Sequence, residues 1–269
     1  MDLSQEEFEL IQSLLESQLT PFGFESSPLL IKWYNEQVDK KFKFKSIHED
    51  SLAFCVTSTS EMFERGFLPF VFESGICRDL RNALDESIGF YLKKMCQDLQ
   101  NYQPIFYRDS DLEPGTRRPA FLAQTAAHVS GVAYYYHPSE IIQSAKREGI
   151  PLPWSEEDQQ GRVYGVSIHH KYGGWFAIRG LIILQNVKYK SLQQTPPPDV
   201  VESIQLKVKL LNDFNFSNWK NWNYRDIIPV HPKMKYSQLQ RKYFETEPKL
   251  RYDSLHDELK QSWLNLKEM

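Results

Sequence analysis

The stretch QTAAHVSGVAYYYH, residues 124–137, brings two histidines, a glycine and three consecutive tyrosines close together. Two kinds of chemistry suit this combination. The imidazole of His128 could ligate a metal ion. Alternatively, the tyrosines could form the wall of a pocket for a large, flat ligand, with the histidine serving only as part of the packing. From these residues alone, both alternatives stay open.

Three arginines lie in segments that are rich in apolar or aromatic residues. Arg179 interrupts the apolar strand candidate GWFAIRGLIIL, where a buried guanidinium needs a structural ion pair or an anionic ligand. Arg225, in NWNYRD, could pair with Asp226 or bind a ligand, and Arg251, in PKLRYD, is by default a surface residue. Because a guanidinium matches a carboxylate, three converging arginines would indicate a small ligand with more than one carboxylate.

Several common catalytic motifs are absent from the sequence. It contains no G-x-G-x-x-G fingerprint, no P-loop and no G-x-S-x-G nucleophile elbow. His169 and His170 are adjacent, so on a strand they would point to opposite faces and could not share one ion. We therefore predict no metal site made of protein side chains. Gly173 and Gly174 either turn a hairpin or let the backbone approach a ligand closely.

The elements that must position these residues alternate irregularly between helix and strand. A capping box at Ser4 and Glu7 begins an amphipathic helix, and residues 84–99 predict another. SLAFCVTST predicts a buried strand, whereas KKFKFKSIHED fits an edge strand or a loop. RVYGVSIHH and GWFAIRGLIIL, separated by KYGG, predict a hairpin, and a further helix is expected from about Val200 to Leu211.

This pattern predicts an α+β fold with a mixed, mainly antiparallel sheet flanked by helices. We expect a single domain over residues 1–269, with a C-terminal helical cap at about 200–269. AFLAQTAAHVSGVAYYY fits either a helix or a strand, and EGIPLPWSEEDQQG and SLQQTPPPD are expected to be loops or linkers.

The composition indicates a cytoplasmic protein. The chain is 41% hydrophobic and has 32 Lys+Arg against 35 Asp+Glu, so neither nucleic acid nor a membrane is an expected partner. Its mean hydropathy is −0.52, and no apolar run approaches the roughly 20 residues that span a bilayer. The three cysteines form no C-x-x-C pair and no secretory signal is evident, which favours reduced thiols.

Longer motifs resemble one known family. LAQTAAHVSGVAYYY, GGWFAIRG, FNFSNWKNWNYRD and YSQLQRKYF are similar to the cobalamin-processing proteins of the cblC class, the MMACHC family. PFGFE, WYNE and LAFCVTSTSEMF extend the resemblance toward the N-terminus, so that it covers roughly residues 20–251. These motifs are long and occur in the family's order.

The resemblance implies a flavin-reductase-like fold related to nitroreductases. It also implies removal of the upper axial ligand of cobalamin, by reductive decyanation of cyanocobalamin and by alkyl transfer to the thiol of glutathione. Cobalamin is then the substrate and glutathione the co-substrate, with reduced FMN or FAD as a possible electron donor. The implied partner is a cblD-class adaptor protein, and the chain would be a monomer or a homodimer.

The resemblance also assigns binding residues. The cobalamin-binding positions fall on Asp109, Phe121, Leu122, Ala123, Gln124, Tyr135, Tyr136, His137, Ser167 and Ile178. The glutathione-binding arginines fall on Arg179, Arg225 and Arg251, and no protein side chain ligates the metal.

The histidine motif departs from that of enzymes whose histidine ligates cobalt. Those enzymes carry D-x-H-x-x-G, whereas Ala126 stands where the orienting aspartate would be. We therefore favour packing or hydrogen bonding for His128 over cobalt ligation. Two further positions depart from relatives: Ser167 replaces a cysteine and Lys171 an arginine. The missing thiol would change the balance among decyanation, dealkylation and glutathione oxidation.

Two other functions remain compatible with the sequence. The chain could be a non-catalytic escort that binds cobalamin and presents it to a partner. It could also be a flavin-dependent reductase of another substrate, as the implied fold relationship allows. Glutathione-dependent loss of the alkyl group separates an enzyme from an escort, and bound flavin without cobalamin binding would indicate the other reductase.

Overall fold

The computed structural model describes residues 1–75, 79–155, 157, 163–217 and 221–268. Within them, the strands are β1 Phe24–Leu30, β2 Ser51–Ser58, β3 Pro104–Arg108, β4 Tyr134–Tyr136, β5 Val166–Ile168 and β6 Ala177–Lys188. The longer helices are α1 Gln5–Leu19, α2 Ile31–Gln37, α3 Leu68–Glu73, α4 Ala83–Asp98, α5 Ala123–Val129, α6 Pro138–Arg147, α7 Ile204–Phe216, α8 Gln238–Glu245 and α9 Arg251–Lys267.

The main sheet has four strands in the order β1-β2-β6-β3, and all neighbours are antiparallel. This arrangement confirms the α+β class and the antiparallel sheet. β6 follows β5 in the chain but pairs with β2 and β3, which makes it a central strand. Its run Leu181–Leu184 is fully buried. Both faces of the sheet are therefore covered, as the unbroken burial of β2 also shows.

The two faces of the sheet carry separate parts of the core. Along β6, Ile182 and Leu184 belong to the cluster that packs against α1, α4, α3 and α9. Leu181 and Ile183 belong to the cluster on the other face, which contains residues of α2 and α5. This alternation follows from the two-residue period of a strand.

The first helix forms as its sequence predicts. The Ser4 hydroxyl accepts from the Glu7 backbone N–H at 3.2 Å, and the Glu7 carboxylate accepts from the Ser4 N–H at 2.8 Å. This reciprocal bonding also lowers the pKa of Glu7. The predicted apolar face is buried, namely Phe8, Ile11, Leu15 and Leu19.

A second, two-stranded sheet corrects the predicted hairpin. β5 pairs with β4, Tyr135 lying opposite Ser167, and between β5 and β6 there is only a single bridge from His169 to Gly173. Periodicity identified both strands but not their partners. A tight turn redirects the chain, because Gly173 has φ +57° and the Nδ1 atom of His169 accepts from the Lys171 N–H at 3.0 Å. That buried acceptor stays neutral, and burial lowers the pKa of His169 to about 3.

Several other elements differ from the predicted boundaries. The helix expected from Val200 begins at Ile204, because Ser203 caps it by accepting from the Leu206 N–H at 3.2 Å. KKFKFKSIHED contains a short 3-10 helix at Lys40–Phe42 and no strand. SEMFERGFLPF contains a π-helical turn, Phe63–Phe67, before α3. Parts of EGIPLPWSEEDQQG and FNFSNWKNWNYRD, at 156, 158–161 and 218–220, lie outside the described residues.

The small sheet packs against α6 and α7 in a third cluster, which includes Tyr136, Ile168 and Leu210. The segment between β6 and α7 contributes Val201 to that cluster. In the described residues, no helix is both long enough and apolar enough to cross a bilayer.

Candidate functional site

A cavity of about 330 Å³ opens where α5 meets β4, and we call it the tyrosine cavity. Its position follows from the sequence of α5: Ala126 and Ala127 are buried in the core, which leaves the other side of the helix facing the cavity. Gly131, with φ +79°, then turns the chain into the tyrosine strand. The cavity is lined by Gln37, Val38, Asp39, Phe42, Leu122, Gln124, Thr125, His128, Tyr134, Tyr135, His137 and Glu140.

The structure fixes the tautomer of His128. Its Nδ1 atom accepts a hydrogen bond from the backbone N–H of Tyr135 at 3.2 Å, so Nδ1 carries no proton. Burial lowers the pKa of His128, with a smaller opposing effect of Glu140, and this favours the neutral ring. In a neutral imidazole with a bare Nδ1, the proton is on Nε2. His128 can therefore donate a hydrogen bond from Nε2, but it has no lone pair there for a metal ion.

The three tyrosines have different environments. Tyr134 and Tyr135 line the cavity, and the Tyr134 ring meets the His128 ring edge-on at 5.1 Å. Tyr136 is buried; its hydroxyl donates to Asp199 at 2.8 Å and accepts from the Val201 N–H at 3.0 Å. Burial raises the pKa of that hydroxyl. Tyr136 thus anchors the segment before α7, and its two neighbours form the wall.

Only some of the cobalamin-binding positions that the resemblance implies line the tyrosine cavity. Leu122, Gln124 and His137 line the cavity, as Tyr135 does. Phe121 is buried in the core beside them and Ala123 is half-buried. These positions are therefore close together, although Tyr136 is buried and does not line the cavity.

Ser167 lies directly opposite Tyr135 in the small sheet, and its buried hydroxyl has no hydrogen-bond partner among the described residues. Directly opposed residues share a face of a sheet, so Ser167 lies on the Tyr135 side. Gly165 allows the Tyr135 ring to lie against the backbone, since a Cβ there would be 2.4 Å from the ring. An unpaired buried hydroxyl is costly, so this oxygen has an unused capacity to donate or accept a hydrogen bond.

A second cavity, of about 250 Å³, contains two of the three predicted arginines. We call it the arginine cavity. Its lining is largely aromatic and consists of Ala177, Arg179, Asn221, Trp222, Tyr224, Arg225, Tyr236 and Phe244.

Arg179 reaches this cavity from a β-bulge. Val56 pairs with Gly180 and Thr57 with Ile178, so Arg179 has no partner on β2. Such an extra residue re-aims side chains next to it. Arg179 is 7% exposed, and its Nε donates to the Ser58 hydroxyl at 2.8 Å. In the described residues it makes no ion pair, so its charge is available to an anion.

Arg225 lies among aromatic rings. Its guanidinium carbon is 4.9 Å from the ring centres of both Trp222 and Tyr236 and 5.0 Å from that of Tyr224. These cation–π contacts hold the guanidinium without neutralising it. The Nε atom of Arg225 is buried and has no hydrogen-bond partner in the part of the chain that the structure describes. Of the two uses left open for Arg225, an ion pair with Asp226 is not among those in the described residues, where Asp226 pairs with Lys235 at 2.7 Å.

Arg251 does not line the arginine cavity. Its Nε donates to the backbone oxygens of Tyr243 and Thr246, both at 3.2 Å, and its guanidinium lies 4.2 Å from the Tyr243 ring centre. Tyr243 stacks edge-on with Phe244 of the cavity wall at 5.7 Å. The structure thus brings Arg179 and Arg225 together and connects Arg251 to them only through these two rings.

Asp109 and Ile178, the remaining cobalamin-set positions, both adjoin Arg179. Ile178 precedes it in the chain, and the Asp109 N–H donates to the Arg179 carbonyl at 3.2 Å. The Asp109 residue is exposed overall. Even so, desolvation by the surrounding protein raises the pKa of its carboxyl, and the nearby Arg179 charge partly opposes this effect. The two predicted binding sets therefore meet at the start of β6.

The aromatic lining of the arginine cavity was missed in the sequence. Trp222, Tyr236 and Phe244 come from segments that are distant from Arg179 in the chain, and no local spacing predicts that they converge. No group of three or more His, Cys, Asp or Glu side chains in the described part of the chain could hold a metal ion.

The fold and the two cavities define an α+β protein with one cavity walled by tyrosine rings and a second that holds two guanidinium groups. The chain belongs to the methylmalonic aciduria and homocystinuria type C family, whose model matches residues 23–255. This confirms the resemblance found in the sequence motifs.

Relatives cover most of the chain. The human protein named cyanocobalamin reductase / alkylcobalamin dealkylase is 37% identical over 238 residues, which are 88% of this chain and 78% of the human one. The chicken protein of the same name is 38% identical over 245 residues, 91% of this chain and 95% of its own. The crystal structure of a Caenorhabditis elegans B12-trafficking protein CblC superposes with a TM-score of 0.80 at 26% identity, covering 93% of this chain and 96% of the other.

Proposed function

We propose that the chain is an enzyme that removes the upper axial ligand of cobalamins, as a cyanocobalamin reductase and alkylcobalamin dealkylase. Family membership and the names of the human and chicken relatives support the activity. The observation that carries the mechanism is the tautomer of His128, whose Nδ1 is occupied by the Tyr135 N–H. Nothing on that side chain can replace the base that cobalamin's own nucleotide supplies to cobalt.

Cobalamin would bind through the set around the tyrosine cavity, with its dimethylbenzimidazole displaced from cobalt. A corrin is larger than this cavity, so only part of the molecule would enter it, with the tyrosine rings as a flat wall. Cobalt without a lower donor has less electron density, which makes Co(III) easier to reduce and Co(I) a better leaving group. The His128 Nε2–H would donate to an oxygen of the bound molecule.

Glutathione would occupy the arginine cavity. Its carboxylates suit the charges of Arg179 and Arg225, neither of which has a carboxylate partner among the described ion pairs. We include Arg251 as the third arginine of the set, acting through Tyr243 and Phe244 on the cavity wall. The positive field would favour the thiolate over the thiol, whose proton leaves to solvent.

Alkyl transfer then follows from proximity. Ile178 of the cobalamin set pairs with Thr57 next to the bulge that carries Arg179 of the glutathione set, so we place the alkyl transfer at this point of β6. The thiolate sulfur attacks the alkyl carbon in line with the cobalt–carbon bond, a thioether forms, and the electron pair of the broken bond stays on cobalt as Co(I). Holding the two reactants together supplies most of the rate gain.

Decyanation needs electrons rather than a nucleophile. Reduced FMN or FAD would supply them when bound. The flavin-reductase-like, nitroreductase-related fold belongs to the same proposal. We also propose that the chain is a single domain with residues about 200–269 as its cap. It would be cytoplasmic, bind a cblD-class partner and be a monomer or homodimer.

The visible spectrum of methylcobalamin tests the proposed function. Mixing with the protein should shift the spectrum to the base-off form. Adding glutathione should then give Co(I), which dissolved oxygen oxidises to Co(II) or aquocobalamin. A base-off shift that glutathione does not change further would instead identify a non-catalytic escort. Bound yellow flavin with no spectral change in cobalamin would identify a reductase of another substrate.

A further inference from the structure

The glycine pair Gly173-Gly174 lies against the turn Asn223–Asp226, which carries Arg225. A Cβ on Gly174 would lie 2.7 Å from the Cα and 2.9 Å from the Cγ of Arg225, closer than real atoms approach. A Cβ on Gly173 would lie 2.7 Å from the Arg225 carbonyl oxygen. The glycine pair therefore permits a close backbone approach, and the segment that makes this approach is the Arg225 turn.

Hydrogen bonds in both directions join Gly174 to Arg225. The Gly174 N–H donates to the Arg225 carbonyl at 3.0 Å, and the Nη1 of Arg225 donates to the Gly174 carbonyl. The same Nη1 is 3.5 Å from the Phe176 carbonyl. One nitrogen of the guanidinium is thus fixed by backbone oxygens, and this orients the rest of the group relative to β6.

Asp226 holds the same turn from its other side. Its Oδ1 accepts from the Trp175 indole N–H at 2.7 Å and pairs with the Lys235 ammonium, also at 2.7 Å. Trp175 follows Gly174 directly and is 1% exposed. The carboxylate therefore ties the turn to the glycine segment and to the segment after Pro232–Met234 at once.

We propose that Gly174 and Asp226 are positioning residues, which hold the Arg225 guanidinium in the orientation that binds a glutathione carboxylate. The proposal rests on the proposed function, since it assigns them to the glutathione cavity. Arg225 has no described carboxylate partner. The aromatic faces orient the plane of its guanidinium but do not prevent the group from sliding parallel to the rings. Its placement thus depends on the backbone bonds to Gly174 and on the anchor at Asp226.

The first test is Gly174→Ala, with Gly89→Ala as the matched control. An added methyl group at Gly174 must displace the Arg225 turn, whereas at Gly89, in α4, it meets only the Arg108 side chain at 3.6 Å. Because small misplacements of a binding group cost one to two orders of magnitude, we expect KM for glutathione to rise at least about tenfold in G174A. The Kd for methylcobalamin should change less than about twofold, and G89A should match the unchanged protein.

The second test compares Asp226→Ala with Asp226→Asn. The asparagine keeps an oxygen for the Trp175 N–H, and the alanine does not. We expect KM for glutathione to rise about tenfold in D226A and to recover to within about threefold in D226N, with kcat at saturating glutathione nearly constant. This pair decides the question if G174A fails to fold, as judged by its thermal unfolding.

Two results would overturn the proposal while leaving the proposed function intact. One is a wild-type KM for glutathione in both G174A and D226A. The other is an equal loss of glutathione and methylcobalamin binding in both, which would indicate a general structural role. By contrast, the absence of glutathione-dependent dealkylation in the wild-type protein would refute the proposed function itself.

Discussion

Replacing Arg179 by glutamine should separate glutathione chemistry from cobalamin binding. The guanidinium is 7% exposed, lines the arginine cavity and makes one described side-chain hydrogen bond, from Nε to the Ser58 hydroxyl. A glutamine amide can still donate to Ser58, so the bulge should persist. What the variant loses is the positive charge and the remaining guanidinium donors.

The expected size follows from the strength of the lost interaction. A hydrogen bond to a charged group contributes about 1.5–3 kcal/mol, and each 1.36 kcal/mol is a factor of ten. In R179Q, kcat/KM for glutathione should therefore fall roughly 10- to 150-fold. The free energy of unfolding of R179Q should fall by at most about 1 kcal/mol if the hydrogen bond to Ser58 weakens. R251Q should lower kcat/KM less, because Arg251 lies outside the cavity.

The assay follows dealkylation of methylcobalamin by absorbance as glutathione is varied, and a separate titration gives the Kd for methylcobalamin. Arg65→Gln is the control, since it removes the same charge from an exposed arginine that pairs with Glu61 at 3.2 Å. A loss in R179Q no greater than in R65Q would refute the role of Arg179. So would an equal loss of cobalamin binding and dealkylation.

Three further predictions follow. Co(II)-cobalamin bound to ¹⁵N-histidine-labelled protein should show the same electron paramagnetic resonance splittings as the unlabelled complex; a change would mean that His128 or another imidazole ligates cobalt. Because burial lowers the pKa of His169 from its ordinary 6.5 to about 3, the unfolded chain gains its proton first. The unfolding free energy should therefore fall by up to about 1.4 kcal/mol per pH unit between about pH 6.5 and 3 and level off below that. That contribution should be absent in H169N, measured by urea titration at several pH values. Ser167→Cys should alter stability by less than about 1 kcal/mol, since the hydroxyl has no partner, and should raise glutathione oxidation relative to dealkylation.

Local sequence signals predicted the elements that depend on short-range physics. The capping box at Ser4 and Glu7 and the apolar faces of α1 and α4 form as expected, because helix ends and periodic burial are encoded within a few residues. The buried strand β2 was also correct. The tyrosine wall was one of two alternatives that residues 124–137 left open, and the resemblance favoured it; the structure places Tyr134 and Tyr135 at a cavity.

Long-range pairing was harder to predict. The wrong hairpin arose because alternation of apolar residues identifies a strand but not its partner, and β5 pairs with β4 instead. The bulge at Arg179 has no local signature, since it depends on register with β2. Two uses of Gly173-Gly174 were open from local residues, a turn or a close approach to a ligand. Gly173 does lie in a turn, but the contact with Arg225 depends on a distant segment and was not foreseen.

The bulge in β6 has a consequence for how length changes would act on this family. Deleting Ile178 would allow Arg179 to take the paired place opposite Thr57, so the strand could join its neighbour without interruption. The guanidinium would then be carried away from the second cavity while the apolar centre of the sheet stayed filled. A single in-frame codon loss would thus leave the sheet paired while taking one of the two guanidinium groups out of that cavity.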